Sequence, residues 1–249
     1  MSWFQNILLF LVGIFVGGYA SVVGGGALIL VPFFSFINLP LAPAIATMRL
    51  GAVVQEGVSA IAFWRQRAID WKNSLWIGVW AMFGGFLGSR ITLSLDRRFL
   101  SYLIGFIMLG LLYVIPKISM KKLKINNFPK PNSIFVVLGS FLLGIYGGFY
   151  GAGFGIFLML YFTFFVGSNI FSSAGNARVV GFLMSMSASY GFWKNNLINW
   201  EIFAPVTFGS VIGSWVGVSW AKKGGSKWIK LLLQIVVLAS SIKLIVFPE

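Results

Sequence analysis

Residues 4–37 read FQNILLFLVGIFVGGYASVVGGGALILVPFFSFI, and this stretch decides the fold. As one helix it would run about 50 Å at 1.5 Å per residue, well beyond the ~30 Å hydrocarbon core of a bilayer. Its apolar character is broken once, at Gly24-Gly25-Gly26, where glycine lowers helix propensity and frees the backbone. Residues 133–166 have the same length and the same design, broken at Gly147-Gly148 and at Gly151, Gly153 and Gly155. The reading is two long apolar blocks, each a helix, a glycine break and a second helix.

Six further apolar blocks surround these two, at 44–64, 74–92, 99–115, 175–193, 202–220 and 229–247. Of all residues 58% are hydrophobic and 10% charged, against ~25% charged in a soluble domain. The mean hydropathy is +0.90. The chain therefore reads as an all-α polytopic membrane protein. The apolar N-terminus lacks a basic n-region and reads as a retained helix. A net charge of +14 would suggest nucleic acid in a soluble protein, but here the basic residues cluster in short loops that set topology and meet anionic headgroups. With neither Cys nor His and only five acids, the chain is poorly equipped for thiol, zinc or two-carboxylate chemistry. An intramembrane enzyme is thereby disfavoured, and no cofactor or metal is implied.

The chain repeats itself. Adding 129 to a residue number carries Gly18 onto Gly147, Gly24 onto Gly153, Gly26 onto Gly155 and Arg49 onto Arg178. The same offset carries Phe63-Trp64 onto Phe192-Trp193, Trp71 onto Trp200, Gly84 onto Gly213 and Gly88 onto Gly217. Residues 1–116 form the first repeat, 117–131 a basic linker and 132–249 the second repeat.

Charge decides the sense of the repeats. If 4–37 is one crossing, the repeats are parallel, and the basic loop residues divide nine against seven between the two sides. If the break folds the block back, the repeats are inverted. One side then collects Arg65, Arg67, Lys72, the five linker lysines, Lys222, Lys223, Lys227 and Lys230, twelve in all. The other keeps Arg90, Arg97, Arg98 and Lys194. Twelve against four satisfies the positive-inside rule and nine against seven does not. The expectation is two inverted repeats, each opening with a glycine-broken helix hairpin, with the linker cytoplasmic and both termini outside.

Three groups of residues carry candidate chemistry. Two broken helices point the N–H groups around Gly24, Gly25, Gly26 and Gly151, Gly153, Gly155 toward the membrane midplane, where two helix N-termini form an anion cradle. Arg49 and Arg178 lie inside apolar blocks whose preceding loops carry no charge, and an arginine at a span's centre costs about 2.5–3.5 kcal/mol on insertion scales. Thr47 and Asn176 stand two residues before them as further donors. Glu56, seven residues after Arg49, shares its helix face. It is either an ion-pair partner for an arginine or a carboxyl that takes up and releases a proton as a coupling site. Its repeat mate is Ser185. Trp71 and Trp200 read as interfacial anchors, and the Gly84/Gly88 and Gly213/Gly217 pairs as packing faces.

The ordered motifs resemble a known family. Gly24-Gly25-Gly26 leads to Val31-Pro32, then Ala46-Thr47-Met48-Arg49, Phe63-Trp64-Arg65 and Ile69-Asp70-Trp71. The second half repeats the scheme with Gly151, Gly153, Gly155, Asn176-Ala177-Arg178, Phe192-Trp193 and Ile198-Asn199-Trp200. In this the chain resembles the TauE/SafE family of sulfite and organosulfonate exporters. The resemblance implies a carrier in the plasma membrane (the bacterial inner membrane) that moves sulfite, a sulfonate or thiosulfate outward. The second half departs from the pattern, with Tyr161 at the place of Pro32 and Phe154 interrupting its glycines. The residues alone lead to a small anion as partner within a lipid bilayer, which the resemblance makes a small oxyanion, and leave two modes open, an alternating-access secondary transporter or an anion channel. A purely structural subunit would need neither buried arginines nor matched breaks. The oligomeric state is open, a homodimer being one arrangement.

Overall fold

A computed structural model describes residues 3–114 and 133–220. The expected linker and the block at 229–247 lie outside the described residues, as do nine of the twelve basic residues on the richer side of the charge count.

The described elements are helical throughout. In order they are α1 (Trp3–Val23), α2 (Ala27–Phe36), α3 (Leu41–Arg65), α4 (Trp71–Ser94) and α5 (Arg97–Val114), then α6 (Ile134–Phe149), α7 (Phe154–Tyr161) running into a π-helical turn (Phe162–Val166), α8 (Ile170–Lys194) and α9 (Trp200–Trp220). Each long block is thus two helices. The first breaks at Gly24 and Gly25, whose φ angles of +82° and +88° suit glycine alone. The second breaks over 150–153, with Gly151 and Gly153 at +69° and +70°. Gly147 and Gly148 fall inside α6 and Gly155 inside α7, so the second break is narrower than the glycine cluster.

The helices are inside out relative to a soluble bundle. On α4 the exposed stripe is Leu75, Trp76, Val79, Phe83, Leu87 and Ile91, and the buried one includes Ser74, Gly78, Ala81, Gly85, Ser89 and Thr92. On α9 Phe208 is 70% exposed while Ser210 and Ser214 are buried. Apolar residues facing outward with small and hydroxyl residues at the helix contacts are what a hydrocarbon solvent selects on α4 and α9. Two described stretches, Trp3–Val22 and Trp200–Ser219, are long and apolar enough to cross a membrane alone. A third, formed by α7, the π turn and α8, qualifies only as a span bent by 116°. The helices α3 and α8, each 25 residues long, carry the buried polar groups, which lowers their apolarity without shortening them. Trp71 and Trp200 lie exposed at the starts of α4 and α9, where interfacial anchors belong.

Helices from opposite halves pack closest: α1 on α9, α4 on α6, α4 on α8 and α3 on α8. The first two seams are glycine against backbone. A Cβ at Gly213 or Gly217 would lie 1.9 or 2.3 Å from the carbonyl oxygen of Ile14 or Gly18, and one at Gly84 or Gly88 would lie 2.1 Å from that of Phe141 or Ile145. The expected packing faces are therefore used, each against the first helix of the other half. Gly88→Ala is expected to force α4 off α6 and destabilise the protein by about 1–3 kcal/mol or more. Melting of the purified protein checks this, with Gly110→Ala, whose Cβ would meet nothing within 4 Å, as the silent control.

Candidate functional site

The two breaks meet inside the bundle. A Cβ on Gly24 would come within 2.6 Å of Gly155 Cα, and one on Gly25 within 3.7 Å of Gly153 Cα. The first turn of α2 starts its hydrogen bonds at Leu28 N–H, to Gly25 O at 2.9 Å, and that of α7 includes Ile156 N–H to Gly153 O at 2.9 Å. Of the earlier N–H groups, that of Phe154 bonds Gly151 O at 3.1 Å, within the break.

Both arginines point into this junction and are almost fully buried, Arg49 at 4% and Arg178 at 1% exposure. Arg49 Nη2 donates to Tyr150 O at 2.8 Å, at the C-terminal end of α6. Arg178 Nη1 donates to Ala20 O at 2.9 Å, in the last turn of α1. Each guanidinium thus meets the partially negative end of a broken helix. Glycine makes room for them, since a Cβ at Gly151 would lie 1.6 Å from Arg49 Nη2 and one at Gly155 2.5 Å from Arg178 Nη2. Glu56 pairs with Arg178 across the two halves, Oε1 at 3.1 Å and Oε2 at 3.0 Å from Nη1.

A cavity of about 40 Å³ opens beside the junction. A buried water needs roughly 10–15 Å³ by the same measure, so the space suits a solute of a few heavy atoms. Its lining includes Gly25, Gly26, Thr47, Arg49, Glu56, Gly151, Gly155 and Arg178, all expected site residues, together with Gln55 and Thr207. Ten buried side-chain polar atoms among the described residues lack a hydrogen-bond partner. Half of them belong to residues that line this one cavity: Arg49 Nε, Gln55 Nε2, Arg178 Nη2 and Thr207 Oγ1, with Glu56 Oε2, which is held by its ion pair alone. Four can donate, and the two guanidiniums outnumber the one carboxylate.

Three expected site residues do not reach the lining. Gly24 and Gly153 stand behind it, in the contact between the breaks. Asn176 turns away: its Oδ1 accepts from Asp70 N–H at 2.8 Å and its Nδ2 donates to Ser168 Oγ at 3.4 Å. Thr47 touches the lining, but its Oγ1 accepts from Asn199 N–H at 2.9 Å. Asp70 and Asn199 are themselves helix caps, accepting from Asn73 N–H and Ile202 N–H. Thr47 and Asn176 therefore hold the starts of α9 and α4 in matched fashion. Gln55 and Thr207 were missed. The only sequence signal for Gln55 was an amide beside Glu56 within an apolar block, and for Thr207 there was none.

Comparison with known proteins places this arrangement. The profile of the family described as "Sulfite exporter TauE/SafE" matches residues 9–244, nearly the whole chain. This protein belongs to the TauE/SafE family. Among its relatives is a "Probable membrane transporter protein" of Haemophilus influenzae, 26% identical over 243 residues that cover 96% of this chain and 93% of the relative. "Probable membrane transporter protein ORF9" of Sinorhizobium sp is 26% identical, with 98% and 94% covered. "Probable membrane transporter protein YfcA" of Escherichia coli K12 is 25% identical, with 96% and 88% covered. No solved structure gives a significant match. This TauE/SafE member is a membrane protein of a transporter family, and its broken helices, buried arginines and donor-lined cavity are features of its interior.

Proposed function

We propose that this protein is a secondary transporter, working as an exporter, for a small sulfur oxyanion such as sulfite, a sulfonate or thiosulfate. The observation that carries the reading is the convergence of four unpartnered buried donors on one small cavity with an excess of positive charge. Buried polar groups usually find a partner; orphans also occur elsewhere among the described residues, but only here do donors gather beside two guanidiniums, which favours an anion as their partner. Sulfur comes from the family's description. Arg49 and Arg178 supply charge, and the backbone at Gly25, Gly26 and Gly155 supplies further N–H donors, while Gly151, whose N–H is bonded to Tyr146 O, leaves room for Arg49. Glu56 is the candidate coupling group, since an anion that competes for Arg178 loosens its carboxylate. Guanidiniums only 4% and 1% exposed fit the occluded site of a carrier better than the lining of an open pore.

The proposed mechanism is alternating access to a midplane site between two inverted repeats in the bacterial inner membrane, with the linker cytoplasmic. The reciprocal bonds of Thr47 to Asn199 and Asn176 to Asp70 support a two-fold relation, because exchanging each residue for its repeat mate, 129 positions away, turns one pair into the other. The inverted sense is supported by the charge count.

The test is the melting shift of the purified protein with sulfite, thiosulfate, sulfate, sulfoacetate, acetate and chloride. A ligand of the folded state adds about 2.7 kcal/mol at a hundredfold its Kd. One sulfur oxyanion is expected to stabilise the wild type and to lose that shift in Arg49→Ala and Arg178→Ala. If no anion does so, the reading fails. Flux of the same anion into proteoliposomes is expected to saturate, and flux that stays linear in concentration would identify a pore.

A further inference from the structure

We infer that Gln55 and Thr207 are the residues by which this cavity recognises the oxygens of its anion, as distinct from its charge. The inference rests on the anion reading of the cavity and assigns two specificity-determining side chains within it.

Both are more than nine-tenths buried, Gln55 at 8% and Thr207 at 7% exposure. Gln55 Nε2 and Thr207 Oγ1 have no hydrogen-bond partner, and both line the cavity. Their neighbours do not relieve them. Ser210, the other hydroxyl on the α9 side of the lining, is spent on the Thr207 carbonyl at 2.9 Å. The hydroxyl of Ser59 is likewise spent, on the Gln55 carbonyl at 2.7 Å. The two orphan groups also lie near each other. A Cβ built on Gly51 would come within 3.2 Å of Thr207 Oγ1, so the hydroxyl faces α3 at that glycine. Gln55 is four residues on from Gly51, one turn along the same face. Arg49, Gln55 and Thr207 therefore present donors around one short stretch of α3.

The division of labour follows from the chemistry. A guanidinium held by a carbonyl attracts any anion, chloride included. A hydroxyl and an amide fixed by packing reward only a ligand with an oxygen at the right place, and such a site rejects analogues that lack one. A buried polar group without a partner costs stability in the empty protein, so each of the two is paid back only when the cavity is filled.

The full-length protein is purified as wild type, Thr207→Val, Gln55→Leu, the double variant and Thr207→Ser. Melting without anion and the Kd for sulfite and for chloride are measured on each. The anion-free melting temperature of Thr207→Val and Gln55→Leu is expected to hold or rise, while sulfite binding weakens by about tenfold per substitution. Chloride binding is expected to change far less, so the sulfite-to-chloride ratio falls, and Thr207→Ser is expected to keep it. Sulfite affinity unchanged in the double variant overturns the inference and leaves the anion reading standing. A fall in stability with an equal loss for both anions assigns the two residues to packing and also overturns it. A wild type that binds neither anion overturns the inference together with the reading beneath it.

Discussion

Glu56→Ala is expected to cost this protein about 3–5 kcal/mol of stability, the usual penalty for stripping one partner from a buried ion pair. Arg178 is 1% exposed, and the Glu56 carboxylate within 3.0–3.1 Å is the one negatively charged group bonded to it among the described residues. Its remaining bonds, to Ala20 O and Ala174 O, are to neutral carbonyls. Without Glu56 a full positive charge stays in the interior with nowhere to snorkel. The change is expected to show as a sharp loss of melting temperature and of folded yield. Adding Arg178→Met to Glu56→Ala removes the stranded charge and is expected to restore much of the loss, the coupling that a double-mutant cycle detects between contacting residues. If the double variant melts no higher than Glu56→Ala, the pair is not what the alanine removed.

Gly151→Ala is expected to be of similar size, for two reasons that add. At φ +69° the residue is in the left-handed region, which costs an L side chain about 1–2 kcal/mol. The new Cβ would also lie 1.6 Å from Arg49 Nη2 and 2.7 Å from Gly147 O, so the guanidinium must leave its bond to Tyr150. Losing a buried hydrogen bond to a charged group costs roughly 1.5–3 kcal/mol more. The same displacement is expected to abolish the sulfite-induced melting shift. Shortening the arginine in a Gly151→Ala, Arg49→Ala double variant is expected to return only the clash, leaving the backbone cost. Stability equal to wild type in Gly151→Ala would show that the arginine does not occupy that gap.

The breaks and the arginines were legible in the sequence because both are expensive. Three successive glycines inside an apolar block, and an arginine inside such a block after an uncharged loop, have few uses apart from those found. Glu56 was half legible. Its seven-residue spacing put it on the face of Arg49, yet it bonds Arg178, 122 positions away, and contacts between the halves leave no local spacing to read. Thr47 and Asn176 hold bonds that the sequence did not show, for a geometric reason. Residues two apart on a helix do not face each other, so a donor at that distance from an arginine is turned elsewhere, here to the caps of α9 and α4. Gln55 and Thr207 were invisible because lacking a partner is a property of the packed state. Membrane helices carry many hydroxyls, and many here, such as Ser59 and Ser210, bond a carbonyl one turn back.

The glycine seams have a mechanical consequence. With carbonyl oxygens about 2 Å from where a side chain would begin, α9 is keyed to α1 and α4 to α6, and neither pair can slide without climbing over its partner's backbone. The stiff parts of this machine are then mixed pairs, each with one helix from either half, and not the two halves of the gene product. A distance probe spanning α1 and α9 should read the same in every state of the cycle. One spanning α1 and α4, which belong to the same half, is where displacement would register.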